Sequence, residues 1–183
     1  MKSSPLEESR RTALEAAEQL LQINGWKALT AARIAEACGM SRQWLHALFG
    51  GQQQLVDALV DTVFGHWRSN QIDIMAARFS LADSVARSFT LLLDSPATVA
   101  IVLRQMFVDR AEAHELLWGE IDGWWSPVWQ DERAASPEED SAVTAMLTSS
   151  SLALEPMVRG QQLRITTANL LLINGIRGAL KPR

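Results

Sequence analysis

The 183 residues are 48% hydrophobic and carry a formal net charge of −4, enough apolar matter for a core and too acidic for wholesale nucleic-acid affinity, so any contact with nucleic acid must come from a local patch. The single cysteine, Cys38, excludes an internal disulfide. No stretch approaches the roughly 20 uninterrupted apolar residues of a membrane span, and MKSSPLEESRR lacks the apolar run of a secretory signal, so a cytoplasmic protein without a membrane partner is expected.

Apolar residues three and four apart recur along most of the chain and alternating short strands are missing, which predicts an all-α fold of about nine helices. Ser4-Pro5-Leu6-Glu7 is a capping-box pattern with Pro at the first helical position. A first helix then runs to Asn24, stopped by Gly25, with a stripe of Ala13, Ala16, Leu20 and Ile23 flanked by Leu14, Ala17 and Leu21. Trp26 follows as a plug between helices.

From Leu29 to Phe49 the sequence reads LTAARIAEACGMSRQWLHALF, two short helices around a Gly-containing turn, the layout in which a second helix can enter the DNA major groove. Thr30 caps the first, Ile34, Ala35 and Cys38 form its apolar face, and Gly39 takes the left-handed position that ends it. Ser41 caps the second, whose inward residues are Leu45, Leu48 and Phe49; Arg42, Gln43, Trp44 and His46 are left facing outward. Residues 1–50 hold six basic against five acidic groups, so the acidity lies in the rest of the chain.

Gly50-Gly51 breaks the chain and a fourth helix starts near Gln52, with two adjacent apolar faces through Leu55, Leu59 and Val63 and through Val56, Val60, Phe64 and Trp67. Gly65 in its middle is a place either to flex or to pack closely. Further helices are expected from Ser80-Leu81, from Ser95-Pro96 and from about Ala111, the last kinked or ended by Pro127. DERAASPEED, residues 131–140, reads as an exposed connection. Two final helices are expected at about Glu138–Val158 and Gln162–Leu180. The second is apolar almost all round, so it needs a further surface, most simply its own copy; Gly175 and Gly178, and the run Thr148 to Ser151, suit close helix approach.

Taken in order, Ala16-Ala17, Leu20-Leu21, Gly25-Trp26, Leu29-Thr30, Arg33-Ile34-Ala35, Cys38-Gly39-Met40-Ser41, Leu45, Phe49 and Leu55 make residues Leu14 to Trp67 resemble the N-terminal domain of the TetR (tetracycline repressor) family of bacterial transcription regulators. The resemblance covers the first third of the chain. It implies a homodimer with a helix-turn-helix DNA-binding domain over residues 1–50 and a ligand-binding and dimerisation domain over residues 51–183. The fourth helix would transmit ligand binding to the head, and the last two helices of each subunit would form the dimer interface.

Arg42 and Gln43 stand at the start of the second short helix, where base contact is usual; Arg pairs with guanine and Gln with adenine in bidentate fashion. Thr30 suits phosphate, as do the N–H groups that open both helices, and Arg33 and Ser41 are further DNA-binding candidates. Three residues depart from the family pattern: Trp44 replaces a small hydroxyl residue, His46 a phosphate-binding Tyr, and Gln52 a phosphate-binding Lys. For a small molecule the body offers Trp67, Met75, Met106, Phe107, Trp118 and Trp125, residue types that wall apolar ligand pockets and equally fill ordinary cores.

His114-Glu115 opens a zinc-protease pattern, but Trp118 stands in place of its second His, and no phosphate-binding or dinucleotide glycine motif occurs, so neither catalysis nor a cofactor is expected. The expected function is a repressor that holds an operator as a homodimer and is released by an apolar or aromatic effector. The alternative is a dimeric sensor of ligand or partner whose DNA binding is weakened or lost through Trp44, His46 and Gln52.

Overall fold

In a computed structural model, which describes residues 4–107, 111–132 and 137–179, helix α1 (Pro5–Asn24) begins at the capping box foreseen from the sequence. Ser4 Oγ accepts the Glu7 N–H at 3.2 Å while the Glu7 carboxylate accepts the Ser4 N–H at 2.8 Å. Gly25, at φ +69°, turns the chain into a short 3-10 segment, Trp26–Ala28. Helices α2 (Ala31–Cys38), α3 (Arg42–Phe49) and α4 (Gln52–Ala76) follow, then α5 (Leu81–Asp94), α6 (Pro96–Phe107), α7 (Ala111–Glu132), α8 (Pro137–Arg159) and α9 (Ile165–Ala179). The described chain is all-α, and among the described residues no single helix is long and apolar enough to cross a membrane.

By contacts the chain divides into two compact units, one of Met1–His66 with Pro96–Val102 and the other of Trp67–Ser95 with Leu103–Arg183. The first has a core built from short side chains on α1 against longer ones on its neighbours. Ala13, Ala17 and Leu21 meet Ile34 and Ala35 of α2, Leu45, Leu48 and Phe49 of α3, and Leu55, Leu59 and Val63 of α4; Ala97 and Ile101 of α6 complete it. The alanines let α2 and α3 lie close to α1, and each buried large side chain contributes roughly 1.5–3 kcal/mol. Ile23, expected in the α1 stripe, is 79% exposed, because the buried line follows Ala13, Ala17 and Leu21 and leaves position 23 off to its side. Gly65 has open space where a Cβ would stand, so close packing does not account for it.

The second unit is centred on tryptophan. Trp129 is fully buried and stacks on Trp125 with ring centroids 5.1 Å apart, and its indole N–H donates to Thr144 Oγ1 at 2.8 Å. Thr144 in turn donates to the Asp140 carbonyl at 3.0 Å. Of the two outcomes expected at Pro127, the helix does not end there: Pro127 lies inside α7, which continues to Glu132. The acidic connection is also shorter than residues 131–140, because Pro137 opens α8 and Asp140 is buried within it. The last helix starts at Ile165, so Leu163 precedes it; Leu180 lies outside the described residues.

The Trp129 hydrogen bond yields a direct check. Thr144→Val keeps the volume but strands a buried N–H, and is expected to lower unfolding free energy by about 1–3 kcal/mol, read as a drop in the urea midpoint with unchanged slope; Trp129→Phe on that background should then cost less than it does alone.

Candidate nucleic-acid interface

Helices α2 and α3 owe their ends to four residues. Thr30 Oγ1 accepts the Arg33 N–H at 3.3 Å and Ser41 Oγ accepts the Trp44 N–H at 3.1 Å, each satisfying one of the donors that a helix start leaves unpaired. Gly39 and Gly50 close the two helices at φ +69° and +87°, a left-handed backbone that side-chain-bearing residues rarely adopt. Between Ser41 and Gly50, the apolar side of α3 is buried through Leu45, Leu48 and Phe49, and Arg42, Gln43, Trp44 and His46 are all exposed. Trp44 is 43% exposed, a large apolar surface on an otherwise polar face.

The predicted DNA-contacting residues therefore share one compact unit, with some differences in state. Arg33 is exposed on α2, and Arg42 and Gln43 project from the first turn of α3. Thr30 and Ser41 use their oxygen as acceptor in the caps, which leaves each hydroxyl proton free to be donated. Gln52 is occupied differently: its Nε2 donates to the Leu29 carbonyl at 3.0 Å, fastening the start of α4 to the segment before α2.

Two contacts were not foreseen. The Trp26 indole donates to the Ala100 carbonyl of α6 at 3.2 Å, linking residues 74 positions apart. Arg10 of α1 donates through Nη1 to the Leu48 carbonyl at 2.9 Å, with its guanidinium carbon 4.6 Å from the centre of the Phe49 ring. Sequence periodicity places Arg10 on a polar face and carries no signal for a partner 38 residues on.

In the second unit the predicted ligand residues differ in their settings. Trp67 meets Trp124 edge-on at 5.1 Å, Trp125 is stacked within the core on Trp129, and Trp118 and Met75 are half-buried. The side chains of Met106 and Phe107 lie outside the described residues. A groove of about 750 Å3 borders α4 and α5, lined by residues such as Ile74, Phe79 and Arg87; none of the six predicted ligand residues lines it.

Residues 13–59 match the family model described as "Bacterial regulatory proteins, tetR family", a match that runs from within α1 to the first turns of α4. No curated protein matches the chain. Among solved structures, a TetR-like transcriptional regulator from Rhodococcus sp. RHA1 superposes with a TM-score of 0.72 at 14% identity, covering 93% of this chain and 94% of that one. A TetR transcription regulator from Haloarcula marismortui gives 0.70 at 15% identity over 94% and 98%, and the fatty acid degradation regulator FadR from Bacillus halodurans gives 0.69 at 12% identity over 100% of both. At such identities the likeness is one of fold, and it extends from head to body.

The two caps make a testable claim about α3. Ser41→Ala is expected to destabilise the head by about 0.5–2 kcal/mol and Ser41→Gly by only a few tenths; amide hydrogen exchange should quicken in α3 while α7 and α8 keep their protection.

Proposed function

We propose that this protein is a homodimeric, ligand-responsive transcriptional regulator of the tetR type, in which α3 reads a near-palindromic operator and an apolar or aromatic effector releases it. The observation that carries the reading is the division of α3 into a buried apolar side and an exposed side bearing Arg42 and Gln43 at its N-terminal turn, the end that contacts base edges in helix-turn-helix proteins. In this reading Arg42 and Gln43 read bases and Trp44 walls the groove, while Thr30, Arg33, Ser41 and His46 meet phosphate or its surroundings. Residues 1–50 form the DNA-binding head and 51–183 the ligand-binding and dimerising body. The protein works in the bacterial cytoplasm, by binding and not by catalysis.

Dimerisation through α8 and α9 is supported by apolar surface that the single chain leaves uncovered. Leu170 and Leu171 are 58% and 53% exposed, with Ile165 and Met157 also exposed on the same pair of helices, and Gly175 and Gly178 face open space. Such surface loses its cost when a second copy covers it. The effector is assigned to the aromatic body through Trp67, Met75, Met106, Phe107, Trp118 and Trp125. That one protein of this fold regulates fatty acid degradation supports an apolar ligand. Release requires the effector to favour the head spacing that cannot bind, since a ligand indifferent to both states shifts nothing.

A second reading, a dimeric sensor with weakened DNA binding, is favoured by Gln52: its amide is bound to the Leu29 carbonyl, and it brings no positive charge to a phosphate. The two readings separate on genomic selection of bound fragments at low salt. Recovery of a palindromic site, with Arg42→Ala and Gln43→Ala each losing about 1–3 kcal/mol of discrimination at their own base, supports the repressor; recovery of none removes it. Leu171→Glu should convert the dimer to a monomer in sedimentation velocity, and the same substitution on Ile74, in the α4 and α5 groove, should leave it a dimer.

A further inference from the structure

Helix α3 has eight residues, and its last four carbonyls have no partner within the helix. One of them, at His46, accepts the Gly50 N–H at 2.7 Å. Another, at Leu48, is met from outside by Arg10 of α1 at 2.9 Å. The same guanidinium lies over the Phe49 ring at 4.6 Å. Its neighbour Arg11 is paired with Glu8 and Glu15, whereas Arg10 makes no ion pair among the described residues. The charge of Arg10 is thus given over to the end of α3.

We infer that Arg10 is the positioning residue that fixes α3 against α1, and so determines how sharply the exposed face of α3 can select its bases. Three effects coincide on this one side chain. The guanidinium satisfies a terminal carbonyl, its positive charge faces the negative end of the helix dipole, and its planar face covers an aromatic ring. Phe49 is itself buried in the core of the head, so the ring is a fixed anchor and not a mobile one. The guanidinium is aimed at protein, which separates its role from that of a phosphate contact. Lysine could keep the charge but not the planar fork that meets carbonyl and ring together.

The inference rests on the DNA-binding reading above, and its test separates the two. The full-length dimer is compared with Arg10→Met, which keeps the apolar stem, and with Arg10→Lys. In the protein alone, Arg10→Met should raise amide exchange in α3 about tenfold, with α5 unchanged and Arg10→Lys intermediate. On the selected operator, Arg10→Met should lower the ratio of specific to non-specific affinity about tenfold, while the slope of log affinity against log salt stays that of the wild type. A slope shallower by about 0.9 would make Arg10 a phosphate contact and overturn the inference, as would unaltered exchange in α3 or unaltered selectivity. Failure of the wild type to bind any DNA sinks the function proposed above; selective binding that Arg10→Met leaves untouched sinks only the role of Arg10.

Discussion

An isolated helix of eight residues does not persist in water, where even well-composed helices need about 12–15 residues to be marginal. The helix-turn-helix of this protein depends on that deficit being met from outside α3. Burial of Leu45, Leu48 and Phe49 supplies most of the stabilisation, the Ser41 hydroxyl and the left-handed Gly50 settle the two ends, and Arg10 reaches from α1 to a carbonyl at its close. Only with its rear so held can the front offer Arg42 and Gln43 in a repeatable geometry. The base contact proposed for them demands side chains positioned within fractions of an ångström, which a fraying helix cannot provide.

The same dependence of local structure on packing appears in the body. A proline can kink or end a helix; α7 does not end at Pro127, and the turn beyond it carries the fully buried Trp129 with its indole N–H bound to Thr144. That residue in turn donates to the Asp140 carbonyl, so α7 and the start of α8 are tied by a short polar chain within an aromatic core. Buried polar groups are tolerable when partnered, and here the partnership brings the two helices into register. On α9 the balance is reversed. Leucines at 170 and 171 remain in solvent in the single chain, and this surplus of apolar surface is what supports the dimer proposed above.

Two helices belong to both compact units by chain continuity. Residues of α4 up to His66 belong to the first unit and those from Trp67 to the second; in α6 the division falls after Val102. The first unit holds its part of α6 through buried Ala97 and Ile101 and through the Trp26 hydrogen bond to Ala100.

Much of the head was legible along the chain, because its determinants are local: the capping box at Ser4 and Glu7, the hydroxyl caps at Thr30 and Ser41, glycine at 39, and the three-and-four spacing that sends Leu45, Leu48 and Phe49 inward and Arg42, Gln43, Trp44 and His46 outward. Each of these acts within a turn or two of helix, a distance that sequence spacing measures directly. What spacing could not measure is which turns meet across the fold. Ile23 continues a good stripe and is nonetheless in solvent, Pro127 sits mid-helix, Asp140 is buried within a stretch that reads as loop, and Gln52 spends its amide on Leu29. Arg10 belongs with these: its charge was evident from the sequence, but its place at the end of α3 was decided only when α1 and α3 were packed together, since a hydrogen bond and a ring contact 38 residues away depend on tertiary approach and leave no periodic trace in the chain.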